Sequence, residues 1–216
     1  KMDKEQVLKA LTELRAETKK RNFSQSVDLI INLKNINTKS SPVNFFAVLP
    51  KPKGKAVKVA AFLGQELTEQ GKEVCDLVIT EAEFAEYKAD PKKIKKMAES
   101  YDFFIAQATI MGKMAGTFGK ILGMKGKMPN PKTGAVVPPN ANLKQLRDKL
   151  ERTVKLSAKK ATNLQVVVGK EDMSDADLIE NIMAVHKMTL HELPNHEQNV
   201  KKVQLKLTMS KPVTVN

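Results

Sequence analysis

Between Ile110 and Pro131 the chain reads IMGKMAGTFGKILGMKGKMPNP, with glycines at Gly112, Gly116, Gly119, Gly123 and Gly126 and lysines at Lys113, Lys120, Lys125 and Lys127. Bare amides beside cations are the chemistry of oxyanion binding. Two phosphate-binding patterns can be tested. The P-loop needs a Gly five residues before a Gly-Lys pair and a Ser or Thr after it, and no such arrangement occurs. The dinucleotide pattern G-x-G-x-x-G is absent as well. An α/β enzyme holding a nucleotide or phosphorylated substrate at the Gly123–Gly126 turn is therefore the alternative reading, without its motif. The glycine spacing predicts a bare stripe down a helix that lies close on a sheet and ends near Leu122. Each Gly costs that helix about 1 kcal/mol relative to Ala. An ordered turn through Met124–Pro131 is expected to follow.

Other reactive side chains read more plainly. His186, His191 and His196 recur every five residues. Pro194 interrupts the last interval, and no Cys or carboxylate cluster completes a metal set, so all three are expected to be exposed polar residues. No Ser-His-Asp spacing or G-x-S-x-G elbow is visible. Glu81 and Glu83 fit helix capping, and Lys92, Lys93, Lys95 and Lys96 fit a solvated helix face. Cys75, the single cysteine, excludes an internal disulfide, fits a reducing cytosol and is expected to pack in a core strand. No catalytic set, metal or cofactor is expected.

Two stretches carry binding chemistry. Arg21-Asn22-Phe23-Ser24-Gln25-Ser26 precedes one strand, and Thr208-Met209-Ser210-Lys211-Pro212 ends another. Each joins hydroxyls, one apolar side chain and cations, which suits the phosphates and 2′-hydroxyls of folded RNA. A β-turn with a packed Met is an equal alternative. Strand alternation predicts Thr208 on the face opposite Leu205, Leu207 and Met209, with its hydroxyl free.

The elements that must position these stretches follow from periodicity. Asp3–Lys20 reads as a helix with a capping box to Gln6, Ser24–Lys34 as an alternating strand, and Phe45–Leu49 as another strand. Pro50-Lys51-Pro52-Lys53-Gly54-Lys55 reads as a linker. Apolar runs at Val57–Leu63, Cys75–Ile79 and Asp102–Ala108 predict strands buried on both faces. Helices are predicted at Glu81–Lys88, Pro91–Ser100 and Asn142–Arg152. Further strands are expected at Thr153–Ser157, Leu164–Val168 and Val203–Met209, with a helix from Ser174 to about Leu190. This order predicts an α+β domain split between residues 1–55 and 153–216. An inserted Rossmann-like α/β domain would occupy residues 56–152. The two crossings, at Gly54–Lys55 and Arg152–Thr153, predict a hinge.

The 216 residues carry a formal net charge of +13, which points to a polyanion, with nucleic acid the leading candidate. The excess is uneven. Residues 1–55 hold twelve Lys and Arg against five Asp and Glu, 153–216 hold nine against seven, and 56–152 hold sixteen against twelve. The polyanion contact is therefore expected on the split domain. No membrane span or signal-peptide pattern is visible, and the absence of Trp with only two Tyr weakens any base-stacking platform.

The segment Ile121-Leu122-Gly123-Met124-Lys125-Gly126-Lys127-Met128-Pro129-Asn130-Pro131-Lys132 resembles the signature of the ribosomal protein L-one family. Gly112, Gly119, Gly123, Gly126, Pro129 and Pro131 carry the match, and Met124 departs from it. Phe23–Leu29, Val48-Leu49-Pro50 with Gly54-Lys55, and Leu207–Pro212 resemble other family segments, and Glu171–Asp175 resembles its archaeal form. The resemblance implies a ribosomal, cytoplasmic RNA-binding protein that is monomeric outside the ribosome. Its partners would be large-subunit ribosomal RNA at a mobile stalk, exit-site tRNA whose release it aids, and its own mRNA, whose translation it represses. No membrane partner and no catalysis are implied. Carried over, the RNA contacts are Arg21, Phe23, Ser24, Ser26, Thr208, Met209, Ser210, Lys211 and Pro212, with Lys155, Lys159 and Lys160 less specifically. Ser210 stands where the family has glycine, which implies a positive φ or a close RNA approach there.

Overall fold

The computed structural model describes residues 2–159 and 161–215, so Lys160 lies outside the described residues. Helix α1 (Lys4–Glu17) opens on a reciprocal capping box. Asp3 Oδ1 accepts the Gln6 amide at 2.9 Å and Gln6 Oε1 accepts the Asp3 amide at 3.0 Å. Strand β1 (Ser26–Leu33) buries Val27, Leu29, Ile31 and Leu33, as its alternation predicts. Then follow β2 (Val43–Val48), β3 (Val59–Leu63), α2 (Gln65–Val74), β4 (Leu77–Thr80), α3 (Phe84–Ala89), α4 (Pro91–Ser100) and β5 (Phe103–Gln107). After α5 (Met111–Met124) come β6 (Val136–Val137), α6 (Leu143–Arg152), β7 (Thr153–Ala158), β8 (Asn163–Lys170), α7 (Asp175–Glu192), β9 (Val200–Leu207) and β10 (Val213–Thr214).

The chain forms two compact units, one from Lys1–Lys55 with Arg152–Asn216 and one from Ala56–Glu151. In the first, an antiparallel sheet runs β10-β9-β1-β8, and β2 pairs separately with β7. Leu11 and Leu14 of α1 and Leu178, Ile182 and Val185 of α7 join the strands in one core. In the second, β4-β3-β5-β6 is a parallel sheet. All five residues of β3 are buried, because helices cover both of its faces. Ala60 and Phe62 pack with Phe84, Ile94 and Phe118 of α3, α4 and α5. Val59, Ala61 and Leu63 pack with Leu67, Leu143 and Leu150 of α2 and α6. Both units mix α and β structure.

Helix α2 is unpredicted. Its only buried residues are Leu67 and Gly71, so it has no apolar stripe to read. Gly71 replaces one by allowing close approach, since a Cβ there would lie 2.2 Å from Leu63 Cδ1. Cys75 ends this helix and is half-buried, outside any strand. Burial pushes its thiol up to about 11, which favours the protonated thiol over the nucleophilic thiolate at neutral pH. The glycine stripe of α5 also departs from expectation. Met114, Phe118 and Leu122 face the sheet, while a Cβ at Gly112, Gly116 or Gly123 would meet nothing within 4 Å. The stripe faces solvent, because the apolar residues have the larger burial to gain. His186 is a further correction. It is buried on α7, and desolvation lowers its pKa, whereas His191 and His196 are exposed as expected.

Candidate nucleic-acid interface

The antiparallel register places Val27 opposite Leu207, so the approach to β1 and the exit from β9 meet at one end of the sheet. The Ser26 amide donates to Thr208 Oγ1 at 3.0 Å, and the Met209 amide donates to Gln25 Oε1 at 2.9 Å. The loop after β8 joins them. The Gln25 amide donates to Glu171 Oε1 at 2.8 Å, and the Glu171 amide returns a bond to the Gln25 carbonyl at 2.9 Å. Arg15 holds that loop by donating to the Glu171 carbonyl at 2.5 Å and the Met173 carbonyl at 3.0 Å. Lys170 Nζ donates to the Ser24 carbonyl at 3.2 Å. On this frame two large apolar side chains stand out in solvent, Phe23 at 51% exposure and Met209 at 58%. Arg21, Ser24, Lys211 and Pro212 are also exposed, while Ser26 is half-buried. A groove of about 550 Å³ opens beside Phe23, lined by Arg15, Lys20, Arg21 and Glu171 among others.

The structure does not bring Lys159 to this end. Lys159 lies in the turn between β7 and β8, at the Asn163 end of β8, and Asn163 pairs with Asn32 at the far end of β1. The length of β8 separates it from Lys170, on the order of 20 Å at strand rise. Lys155, on β7, sits 5.8 Å over the Phe46 ring. Desolvation, then the charge of Lys159, lowers its pKa.

Three details of the turn differ from expectation. Met209 leaves the alternation because β9 ends at Leu207, so its side chain points to solvent instead of the core. Ser210 has no positive φ, since among the described non-glycine residues only Asn35 and His196 do. Its hydroxyl accepts the Leu207 amide at 2.9 Å and donates to the Lys211 carbonyl at 2.9 Å, so serine closes the turn itself. Thr208 is exposed as predicted, but its hydroxyl oxygen is engaged by Ser26. Thr208→Val should therefore loosen the junction. The freed amide can reach water, so the stability loss should stay within about 1 kcal/mol. RNA binding should weaken about fivefold to tenfold, with an unchanged salt slope because no charge is removed. Filter binding across a salt series checks this, and equal affinity for the variant and the parent rejects it.

The glycine-lysine turn of the other unit has a different geometry. The Gly126 amide donates to the Gly123 carbonyl at 3.0 Å, and the Lys127 amide to the Leu122 carbonyl at 2.9 Å. Gly126 has φ 64°. This is the Schellman arrangement, and it explains the glycine without a ligand. Lys127 Nζ then donates to the carbonyls of Ala98 and Tyr101 at 2.7 and 2.6 Å, closing the end of α4. The turn is thus a helix C-terminus, whose dipole repels anions. A phosphate-binding enzyme site at Gly123–Gly126 is disfavoured on that ground.

These features describe a mixed α/β protein with a hydrogen-bonded, partly apolar and cationic junction at one sheet end. The chain belongs to the Ribosomal protein L1p/L10e family, whose model matches residues 14–211. It is 41% identical to the large ribosomal subunit protein uL1 of Methanothermococcus thermolithotrophicus over 99% of both chains. It is 38% identical to uL1 of Nanoarchaeum equitans, over 92% of this chain and 94% of that one. The figure for uL1 of Pyrococcus abyssi is also 38%, over 99% of this chain and 96% of that one.

Proposed function

We infer that this protein is a non-enzymatic constituent of the large ribosomal subunit that binds large-subunit ribosomal RNA through the sheet-end junction. The carrying observation is that junction. Phe23 and Met209 project from a frame already cross-linked by the Ser26–Thr208 and Gln25–Met209 bonds, with Arg21 beside them. Such a surface offers stacking area, donors and a cation with little ordering cost on binding. Its relatives are ribosomal proteins by name, and the charge excess of its unit agrees. Arg21, Phe23, Ser24, Ser26 and Thr208–Pro212 are the proposed contacts, with Lys155 and Lys159 engaging a more distant part of the same RNA. Crosslinking in cells followed by sequencing of the bound RNA tests the reading. Enrichment of one folded large-subunit segment is expected, and recovery of mostly non-ribosomal RNA defeats it.

The same surface supports autoregulation, by recognising a similar fold in the protein's own mRNA, and the assembled stalk would guide exit-site tRNA. The unit 56–151 is read as a Rossmann-like insert that is not needed for RNA binding. Replacing Ala56–Glu151 with a short Gly/Ser linker should keep rRNA affinity within about tenfold of the parent. Arg152 is retained because its carbonyl accepts the Leu49 amide at 2.8 Å. A loss beyond about a hundredfold, roughly 3 kcal/mol, would move the site into the insert.

The double crossing supports relative motion about Gly54–Lys55 and Arg152–Thr153. Gly54 has φ 72°, and a Cβ there would lie 2.9 Å from Lys170 Cγ, so glycine is required at the first crossing. Spin labels on the two units should give a broad distance distribution. One narrow peak, unchanged by RNA, would show no hinge.

A further inference from the structure

Gln25 is wholly buried, yet it lies two residues from exposed Phe23 and bonds to the amide of exposed Met209. It joins all three segments at the junction. Its backbone exchanges both bonds with Glu171, and its side-chain oxygen reaches across 184 residues of chain to Met209. Its Nε2 has no hydrogen-bond partner among the described residues. A buried amide with an unmet donor is costly, and apolar residues of similar shape would avoid the cost. Among the described residues, the side chain's bond to the Met209 amide is what the carboxamide provides in return, and it holds the turn that carries Met209.

We propose that Gln25 is a positioning residue for RNA recognition: its side-chain oxygen fixes the Met209 turn against the Phe23 segment, so that the two exposed side chains present one preformed surface. The proposal rests on the rRNA-binding reading. Gln25 itself stays beneath the surface and acts through Met209. Thr208 makes the parallel tie from its hydroxyl to the Ser26 amide, so the turn is held at two successive residues. Without the Gln25 tie, residues 208–210 keep the Ser210 turn bonds and the Thr208–Ser26 bond, while Met209 loses its own link to the Phe23 segment.

The test uses the full chain and a folded fragment of large-subunit rRNA. Gln25→Met keeps length and apolar packing but removes the acceptor. Hydrogen exchange at the Met209 amide should accelerate at least tenfold, while amides of Ile30 and Ile31 in β1 keep their protection. The dissociation constant should rise about tenfold with the salt slope unchanged. Gln25→Glu is the rescue variant, measured at pH 5.5 beside the parent. Burial and the neighbouring Glu171 carboxylate keep the new carboxyl neutral there, and its oxygen accepts the Met209 amide. Its affinity should return to within about threefold of the parent. Unchanged RNA affinity for Gln25→Met, with the Met209 amide freed, overturns the proposal. So does an equal loss in both variants, or a loss of protection throughout β1. If the parent itself fails to bind the fragment, the rRNA reading fails instead.

Discussion

Phe23→Ala should weaken binding to the folded rRNA segment by about tenfold to a hundredfold while leaving the fold intact. The ring is 51% exposed, so its removal leaves no cavity in the core and should shift stability by less than about 0.5 kcal/mol. In a complex, the same ring supplies stacking area against an RNA base. Such a contact is worth about 1–3 kcal/mol by alanine substitution. No charge is removed, so the slope of affinity against salt should match the parent. Phe23→Tyr keeps the ring and should bind within a few-fold. Arg21→Ala makes the contrasting case, because losing a phosphate contact should lower the slope by about one ion. Titrations at three salt concentrations separate the two behaviours. Parent-like affinity for Phe23→Ala would show that the exposed ring is not part of the interface.

The frame beneath Phe23 was legible in part. Alternation marked the buried face of β1, and the spacing of Asp3 and Gln6 marked the start of α1. These signals are local, within four residues, and they survive folding because backbone geometry alone creates them. The exposed residues of the junction were legible too, since hydroxyls, cations and one aromatic side chain cluster at strand ends. What escaped was set by distant partners. Met209 continues the β9 pattern on paper, but the ladder stops at Leu207 and the side chain turns outward. Gln25 and Asn181 look like surface residues in any window. Both are wholly buried, because backbone groups far along the chain need donors and acceptors that an apolar side chain lacks. The Gly123–Gly126 turn misleads in the opposite sense. Its composition suggests phosphate chemistry, while its hydrogen bonds are those of a helix end.

Asn181→Ala should be among the most destabilising single changes in the split unit, at about 3 kcal/mol. Asn181 lies on α7, next to the core residue Ile182. Its Oδ1 accepts the Lys51 amide at 2.9 Å, and its Nδ2 donates to the Val168 carbonyl at 2.8 Å and the Lys51 carbonyl at 3.2 Å. One side chain thus satisfies three backbone groups and ties the Pro50–Pro52 connector to α7 and β8. Alanine strands them together, and each buried group left unpaired costs about 1–3 kcal/mol, less where water enters. The nearby ion pairs of Lys51 with Asp177 and Glu180, at 3.5 and 3.7 Å, are too exposed to compensate. At about 2–4 °C per kcal/mol for a chain of this size, the melting temperature should fall by roughly 6–12 °C. Asn181→Asp keeps an acceptor but loses both donors and buries a charge, so it should be no better. The Phe23–Met209 junction does not use Asn181, so the folded variant at 25 °C should bind RNA within about threefold of the parent. Calorimetry with matched binding titrations reads both effects. A stability loss below about 1 kcal/mol would mean that water replaces the side chain. A large affinity loss without a melting shift would place the connector within the RNA contact.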